Sequence, residues 1–447
     1  MNTLENPELK INVAIPGENT QKFVDMDTRY LATSTKTFPV AARKGKGMWV
    51  QDMDGNTILD FTNGMVGGTG HCHPKVVDAI KKQADELLFF NGPDFYYEIQ
   101  SKLAKRLTEI VPGNFEKKVF LCNSGAEANE AAIKISRHST GRKRFIAFMG
   151  AFHGRTIGAV SLTASKAVHQ GKFFPTMPGV THIPYAYCYR CAYQMEYPAC
   201  DVWCAKILEK LYFRSNIPSD EVAAIFFEPI QGEGGYVVPP KDFLKELKRI
   251  ADEHGILMVD DEVQAGFGRT GKMFAIEHFD IIPDIVSLAK AIASGLPVGA
   301  SVFNAKYDFG VQGAHSNTYG GSPVPAAAAL ATIDAIYEDK MIQNAANMGN
   351  YFLGKLKELQ EIYPIIGDVR GIALMSAIEF VKDRQTKEFA KDFRDIFLNL
   401  CYQKGLLLLP CGVSGIRFTP ALIVNKNEID IAVKIIRNSI EETLKKN

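Results

Sequence analysis

Residues 223–260 read as apolar run, periodic helix and second apolar run, and that order restricts the possible folds more than any other feature of the chain. The run at 223–227 is Ala-Ala-Ile-Phe-Phe, too short for a helix and flanked by Glu228 and Pro229. Across 242–253, Phe243, Leu244, Leu247, Ile250 and Ala251 recur at the spacing of one helix face, and a strand pattern resumes at 256–260. Strand, helix and strand in this order form a parallel pair covered by the helix, so the class is α/β. An earlier unit repeats the logic: a strand at 118–122, a turn at Asn123-Ser124-Gly125 and an alanine-rich helix at 126–138. With 447 residues and 46% hydrophobic content, the chain can bury the core of two domains.

The flanks differ from this centre. The first sixty or so residues contain a hairpin around the Asp54-Gly55 turn. From about Ile336 the pattern becomes amphipathic helix, then strands within 371–380 and 405–409, then a last helix over 427–445. The expected division is an N-terminal segment (1–62) packing with a small domain, a large cofactor-binding domain (63–335) and a C-terminal small domain (336–447). Fifty-one basic and fifty acidic residues leave a formal charge of +1, which argues against nucleic acid or an acidic membrane surface as partner. No apolar run approaches the roughly 18 residues that span a bilayer, and the first residues lack the pattern of a secretory signal, so a cytoplasmic location is expected.

Ligands of such sheets bind at the carboxyl ends of the strands, where Glu228 and Asp261 stand. Lys290 closes the next apolar run, among Leu288, Ala289, Ala291 and Ile292. A buried lysine can shed its proton and attack an aldehyde, and a nearby carboxylate can keep a pyridine nitrogen protonated; that pairing is what pyridoxal phosphate chemistry requires. Lys290 would form the Schiff base and later carry a proton, while Asp261 or its neighbour Asp260 would face the ring. Gln264 is placed to touch the ring hydroxyl. Ser124-Gly125-Ala126 opens a helix and would meet a phosphate, although capping by Ser124 alone accounts for the same residues. Phe152 and His153 follow another strand end, where Phe152 would stack on the ring and Arg155 would bind a carboxylate. Glu233 lies on a glycine-rich loop, and Arg417 sits among apolar neighbours that demand an anionic partner, either Glu233 or a substrate carboxylate.

Taken together, the motifs at 123–127, 152–156, 228–235, 261–271, 284–290 and 317–323 resemble class III pyridoxal-phosphate aminotransferases, most closely 4-aminobutyrate aminotransferases, including Leu409-Pro410-Cys411-Gly412 ahead of Arg417. The resemblance implies fold type I, with a mostly parallel seven-stranded central sheet flanked by helices and a smaller α+β domain. It makes Lys290 and Asp261 catalytic and Ser124, Gly125, Ala126, Phe152, His153, Glu228, Gln264 and Thr318 cofactor contacts. Thr318 would reach the cofactor of a neighbouring subunit, which implies a homodimer with shared sites. Arg155, Glu233 and Arg417 would bind an ω-amino donor such as 4-aminobutyrate and then 2-oxoglutarate, with Glu233 swinging off Arg417 between the two. The same motifs serve ornithine and acetylornithine aminotransferases and racemases; the racemases tend to carry Asp where Glu233 stands, which favours amino transfer. The segment 64–71 is shorter and richer in glycine than the family stretch, leaving Met65 as the candidate pocket wall.

Cys188, Cys191, Cys200 and Cys204 fall within seventeen residues in a C-x2-C and C-x3-C pattern. A structural metal, two disulfides and free buried thiols are all compatible with that spacing.

Overall fold

The strand Val222–Phe227 is buried at every position, as a strand covered on both faces must be. It lies inside a seven-stranded sheet in the order Lys117–Cys122, Gly299–Asn304, Ile285–Leu288, Leu257–Asp261, Val222–Phe227, Arg144–Phe148 and Val180–Ile183. Gly299–Asn304 runs antiparallel to both neighbours, and the other pairings are parallel, so the sheet is the expected mostly parallel one with a single reversed strand. The computed structural model describes residue 4 and residues 7–446.

Helix Lys241–His254 buries Phe243, Leu244, Leu247, Ile250 and Ala251, the face predicted from spacing, and stops at Gly255 in the left-handed region. On the alanine-rich helix Gly125–Thr140, Ala128, Ala131 and Ala132 are fully buried, and Ser301 Oγ donates to the Ala128 carbonyl at 2.6 Å. Small side chains let this helix approach the sheet closely, which brings its first turn to the strand ends.

Two four-stranded sheets complete the architecture. One joins Ala42–Lys46, Trp49–Asp52 and Thr57–Asp60 to Leu406–Leu407; the other orders Ile366–Ile372, Met375–Phe380, Gly415–Phe418 and Leu409–Cys411. The run expected as a single strand at 405–409 is therefore divided between two sheets on either side of Leu408. The run at 371–380 spans the end of strand Ile366–Ile372, a turn at Ala373, whose φ is 51°, and the strand Met375–Phe380 that pairs back on it. The change of pattern near Ile336 falls inside helix Pro323–Glu338, and helix Met341–Ile362 follows. No helix among the described residues is long and apolar enough to cross a membrane.

Strand Leu257–Asp261 runs one residue beyond its predicted end, and alternation then sends Asp260 and Asp261 to opposite faces. Asp260 is fully buried, and neither of its carboxyl oxygens has a hydrogen-bond partner among the described residues. Glu262 accepts from Ile276 N at 2.7 Å through one oxygen and leaves the other unpaired. Burial pushes both carboxyls up, Glu262 to about 8; the charges of Glu262 and Asp261 add to the effect at Asp260, and those of Glu277 and Asp261 at Glu262. An acid with a raised folded pKa holds its proton longer in the native state, so stability falls as pH rises from about 4.5 towards 8. Glu262→Gln removes that dependence. Urea midpoints are expected to favour the variant over the parent by at least about 1 kcal/mol at alkaline pH and to converge near pH 5; a gap that does not vary with pH would contradict the protonated assignment.

Candidate active site

Asp261 ends its strand under three donors. Its Oδ2 accepts from Asn129 Nδ2 at 2.8 Å and faces His153 Nδ1 at 2.7 Å, while Oδ1 accepts from Val263 N at 3.0 Å. Asn129 Nδ2 also donates to the His153 carbonyl at 2.7 Å, so helix, turn and strand are fastened at one point. Burial alone would lower the His153 pKa, but the hydrogen bond and charge of Asp261 outweigh it and raise it.

Lys290 follows strand Ile285–Leu288 with φ at 49°, in the left-handed region that lysine rarely adopts. Burial pushes its amine down, against the opposing pull of Asp261 and Glu228, and so favours the neutral nucleophile. Its side chain lines a cavity of about 440 Å³ together with Asp261, Asn129, Ser124, Gly125, Ala126, Phe152, His153, Arg155 and Val66. Ser124 caps helix Gly125–Thr140 by accepting from Glu127 N at 3.2 Å, and the first turn of that sixteen-residue helix opens onto the cavity. Capping does not preclude an anion here, since the hydroxyl satisfies one orphan N–H and leaves others at the positive helix end. Gly125 is needed for close approach, because a Cβ there would meet Val263 at 2.8 Å.

Other expected cofactor contacts lie behind the wall. Glu228 accepts from Phe152 N at 3.0 Å and Gly232 N at 2.8 Å, tying two loops together, and burial pushes its carboxyl up to about 7. Gln264 accepts from the Tyr236 hydroxyl at 2.8 Å and packs over Gly232. Met65 belongs to the turn Asn63–Met65, and its neighbour Val66 supplies the wall. Thr318 is exposed and outside this cavity.

The charged groups gather beside Phe152. Arg155 lies over its ring with the guanidinium 5.0 Å from the centroid, and His169 meets the ring edge-on at 5.2 Å. On strand Gly415–Phe418, Arg417 Nη1 donates to Glu233 Oε2 at 2.8 Å, and Arg417 Nε has no partner among the described residues. Lys166 Nζ donates to the other Glu233 oxygen at 2.6 Å. Sequence reading singled out neither Lys166 nor Asn129. Asn129 lies one helical turn beyond Gly125, a spacing that carries a signal only once the helix start is known to face the site.

The four clustered cysteines are free thiols, Cys188 exposed and the others half-buried. Among the described residues no three His, Cys, Asp or Glu side chains are arranged to hold a metal ion. Their segment is fastened by charge instead: Arg190 pairs with the buried Glu379 at 2.5 Å and lies 3.7 Å over the Phe389 ring. Burial and the neighbouring thiols push Cys204 up to about 12, keeping it protonated.

A family model described as aminotransferase class-III matches residues 30–440. The alanine/serine racemase of Pyrococcus horikoshii is 37% identical over 447 aligned positions, covering 97% of this chain and 93% of its own. The probable 4-aminobutyrate aminotransferase of Bacillus subtilis is 38% identical over 400, covering 88% and 91%. A solved Bacillus anthracis aminotransferase superposes with a TM-score of 0.89 at 29% identity, covering 96% of this chain and all of that one.

Asn129→Ala strips one donor from Asp261 and the tie to His153 while leaving the helix its best former. It is expected to lower unfolding free energy by about 1–3 kcal/mol, as the urea midpoint reports; an unchanged midpoint would show that the fastening is dispensable.

Proposed function

The chain belongs to the class-III aminotransferase family, whose cofactor is pyridoxal 5'-phosphate, and from that premise we propose that it transfers an amino group from an ω-amino acid such as 4-aminobutyrate to 2-oxoglutarate. The bound cofactor supplies an electron sink that makes the carbon–hydrogen bond beside the amine labile. Lys290 is assigned as nucleophile and proton carrier, since its buried amine favours the neutral form that both tasks need. Asp261, fixed by Asn129, His153 and Val263 N, holds the pyridine proton, and the helix start at Ser124, Gly125 and Ala126 takes the phosphate. Phe152 would stack on the ring. Glu228 and Gln264 would support the ring by fixing the loops around the cavity. Thr318, exposed and outside its own cavity, is assigned to a second copy's cofactor, giving a homodimer with shared sites.

The observation that carries the substrate reading is the Glu233–Arg417 pair. Arg417 is nearly enclosed, with 12% of its side chain exposed, and a guanidinium stranded there costs several kcal/mol. A donor with one carboxylate needs only Arg155, so Glu233 stays on Arg417. An acceptor with two carboxylates needs both arginines, so Glu233 must leave. An aspartate at 233 would be one methylene shorter; the glutamate spans the distance to Arg417 and can leave it by side-chain rotation alone.

Adding 4-aminobutyrate without any oxo acid to the cofactor-loaded protein is expected to abolish its visible absorption band, and 2-oxoglutarate to restore it. A persistent band would redirect the reading to ornithine or acetylornithine. Inversion of an α-amino acid with the band retained would instead favour racemisation, the activity named for the Pyrococcus relative. Lys290→Ala is expected to cut turnover at least about a thousandfold while the protein stays folded, checked by steady-state rates beside circular dichroism. Arg417→Ala is expected to reduce kcat/KM for 2-oxoglutarate at least about tenfold more than for 4-aminobutyrate, with equal losses counting against the exchange.

A further inference from the structure

Glu233 is held by two cations, one on each oxygen. Oε1 accepts from Lys166 at 2.6 Å and Oε2 from Arg417 at 2.8 Å. Burial would raise this carboxyl, but Arg417 and Lys166 together outweigh burial and hold it below the usual range. The backbone around it is clamped: Gly412 N donates to the Glu233 carbonyl at 2.9 Å, Gly232 N to Glu228 at 2.8 Å, and Arg370 Nε to the Gly235 carbonyl at 2.7 Å. Movement of Glu233 is thereby confined to its side-chain torsions.

The charges of the two substrate states differ in what they leave unpaired. With a monocarboxylate on Arg155, the single Glu233 serves both Arg417 and Lys166. With a dicarboxylate on Arg155 and Arg417, a Glu233 lacking Lys166 would be a carboxylate with 17% exposure and no partner. Lys166 removes that cost because its bond uses the oxygen that Arg417 does not. It sits just ahead of the short helix Ala167–Gln170, with 36% of its side chain exposed and a flexible stem that lets the ammonium follow a small rotation.

We propose that Lys166 is a specificity-determining residue, the anchor on which Glu233 turns and to which it stays bound while Arg417 holds the second carboxylate of the substrate. This rests on the two-carboxylate reading above. The residue is expected to favour dicarboxylates and to be nearly indifferent to monocarboxylates.

The test is calorimetric titration of the cofactor-loaded protein with glutarate and with butyrate, beside steady-state KM values for 2-oxoglutarate and 4-aminobutyrate. Lys166→Met is expected to weaken glutarate binding and raise the KM for 2-oxoglutarate about tenfold, with less than about twofold change for butyrate and 4-aminobutyrate. Lys166→Arg should restore most of the discrimination, and Lys166→Met added to Glu233→Gln should cause no further loss. Equal weakening of both ligands, or additive effects of the two substitutions, overturns the anchor alone. Parent protein that binds glutarate no more tightly than butyrate overturns the two-carboxylate reading, and the anchor with it.

Discussion

Three donors converging on the Asp261 carboxylate join the parts of the site that must not move relative to one another. Asn129 comes from the first helix of the large sheet, His153 from the turn after strand Arg144–Phe148, and Val263 N from the chain just past the strand end. The same helix opens at Ser124 and Gly125, and the same turn carries Phe152 and Arg155. The helix start, Phe152 and Asp261 therefore share one fixed point. Because the carboxylate is buried, each donor offsets part of a desolvation cost that an unsupported anion could not meet. That position is also why the alanines of helix Gly125–Thr140 matter: bulkier residues would lift the helix from the sheet and pull Asn129 out of reach.

Asp260, Asp261 and Glu262 are consecutive, and their environments separate them. Asp261 faces donors, whereas Asp260 is fully buried with no hydrogen-bond partner among the described residues and Glu262 leaves one of its oxygens unpaired. An acid in each of the latter positions is driven to keep its proton. The same physics acts on Lys290 with reversed sign, burial disfavouring the ammonium and pushing its amine down.

Periodicity carried most of the large sheet, because buried parallel strands and one-faced helices leave patterns that no other arrangement leaves. Lys290, Arg155 and the start of helix Gly125–Thr140 were legible for that reason: each follows a recognisable element. The choice between Asp260 and Asp261 was not, since alternation gives a face only when the last residue of the strand is known, and the two residues are chemically alike. The run at 405–409 misled because a chain that crosses from one sheet to another at Leu408 keeps the composition of one strand. Lys166 was invisible for a different reason. It lies 67 residues from Glu233 on a polar stretch, and a lysine there reads as solvated until the fold brings the two together.

The division of labour between rigid and adjustable groups follows from where each is rooted. Asp261 stands at a strand end in backbone fixed by sheet pairing and Lys290 two residues past the end of strand Ile285–Leu288, at the start of the helical turn Lys290–Ala293, whereas Glu233 and Lys166 stand on loops. The loop of Glu233 is nevertheless braced, by backbone hydrogen bonds at Gly232, Gly235 and the Glu233 carbonyl itself. One of those braces, Glu228, also holds Phe152 N. The loop that carries Glu233 and the turn that carries Phe152 are thus tied through a single carboxyl, so displacement of one must strain the other. In the proposed exchange, a site built this way would change the partner of Arg417 without loosening the turn at Phe152.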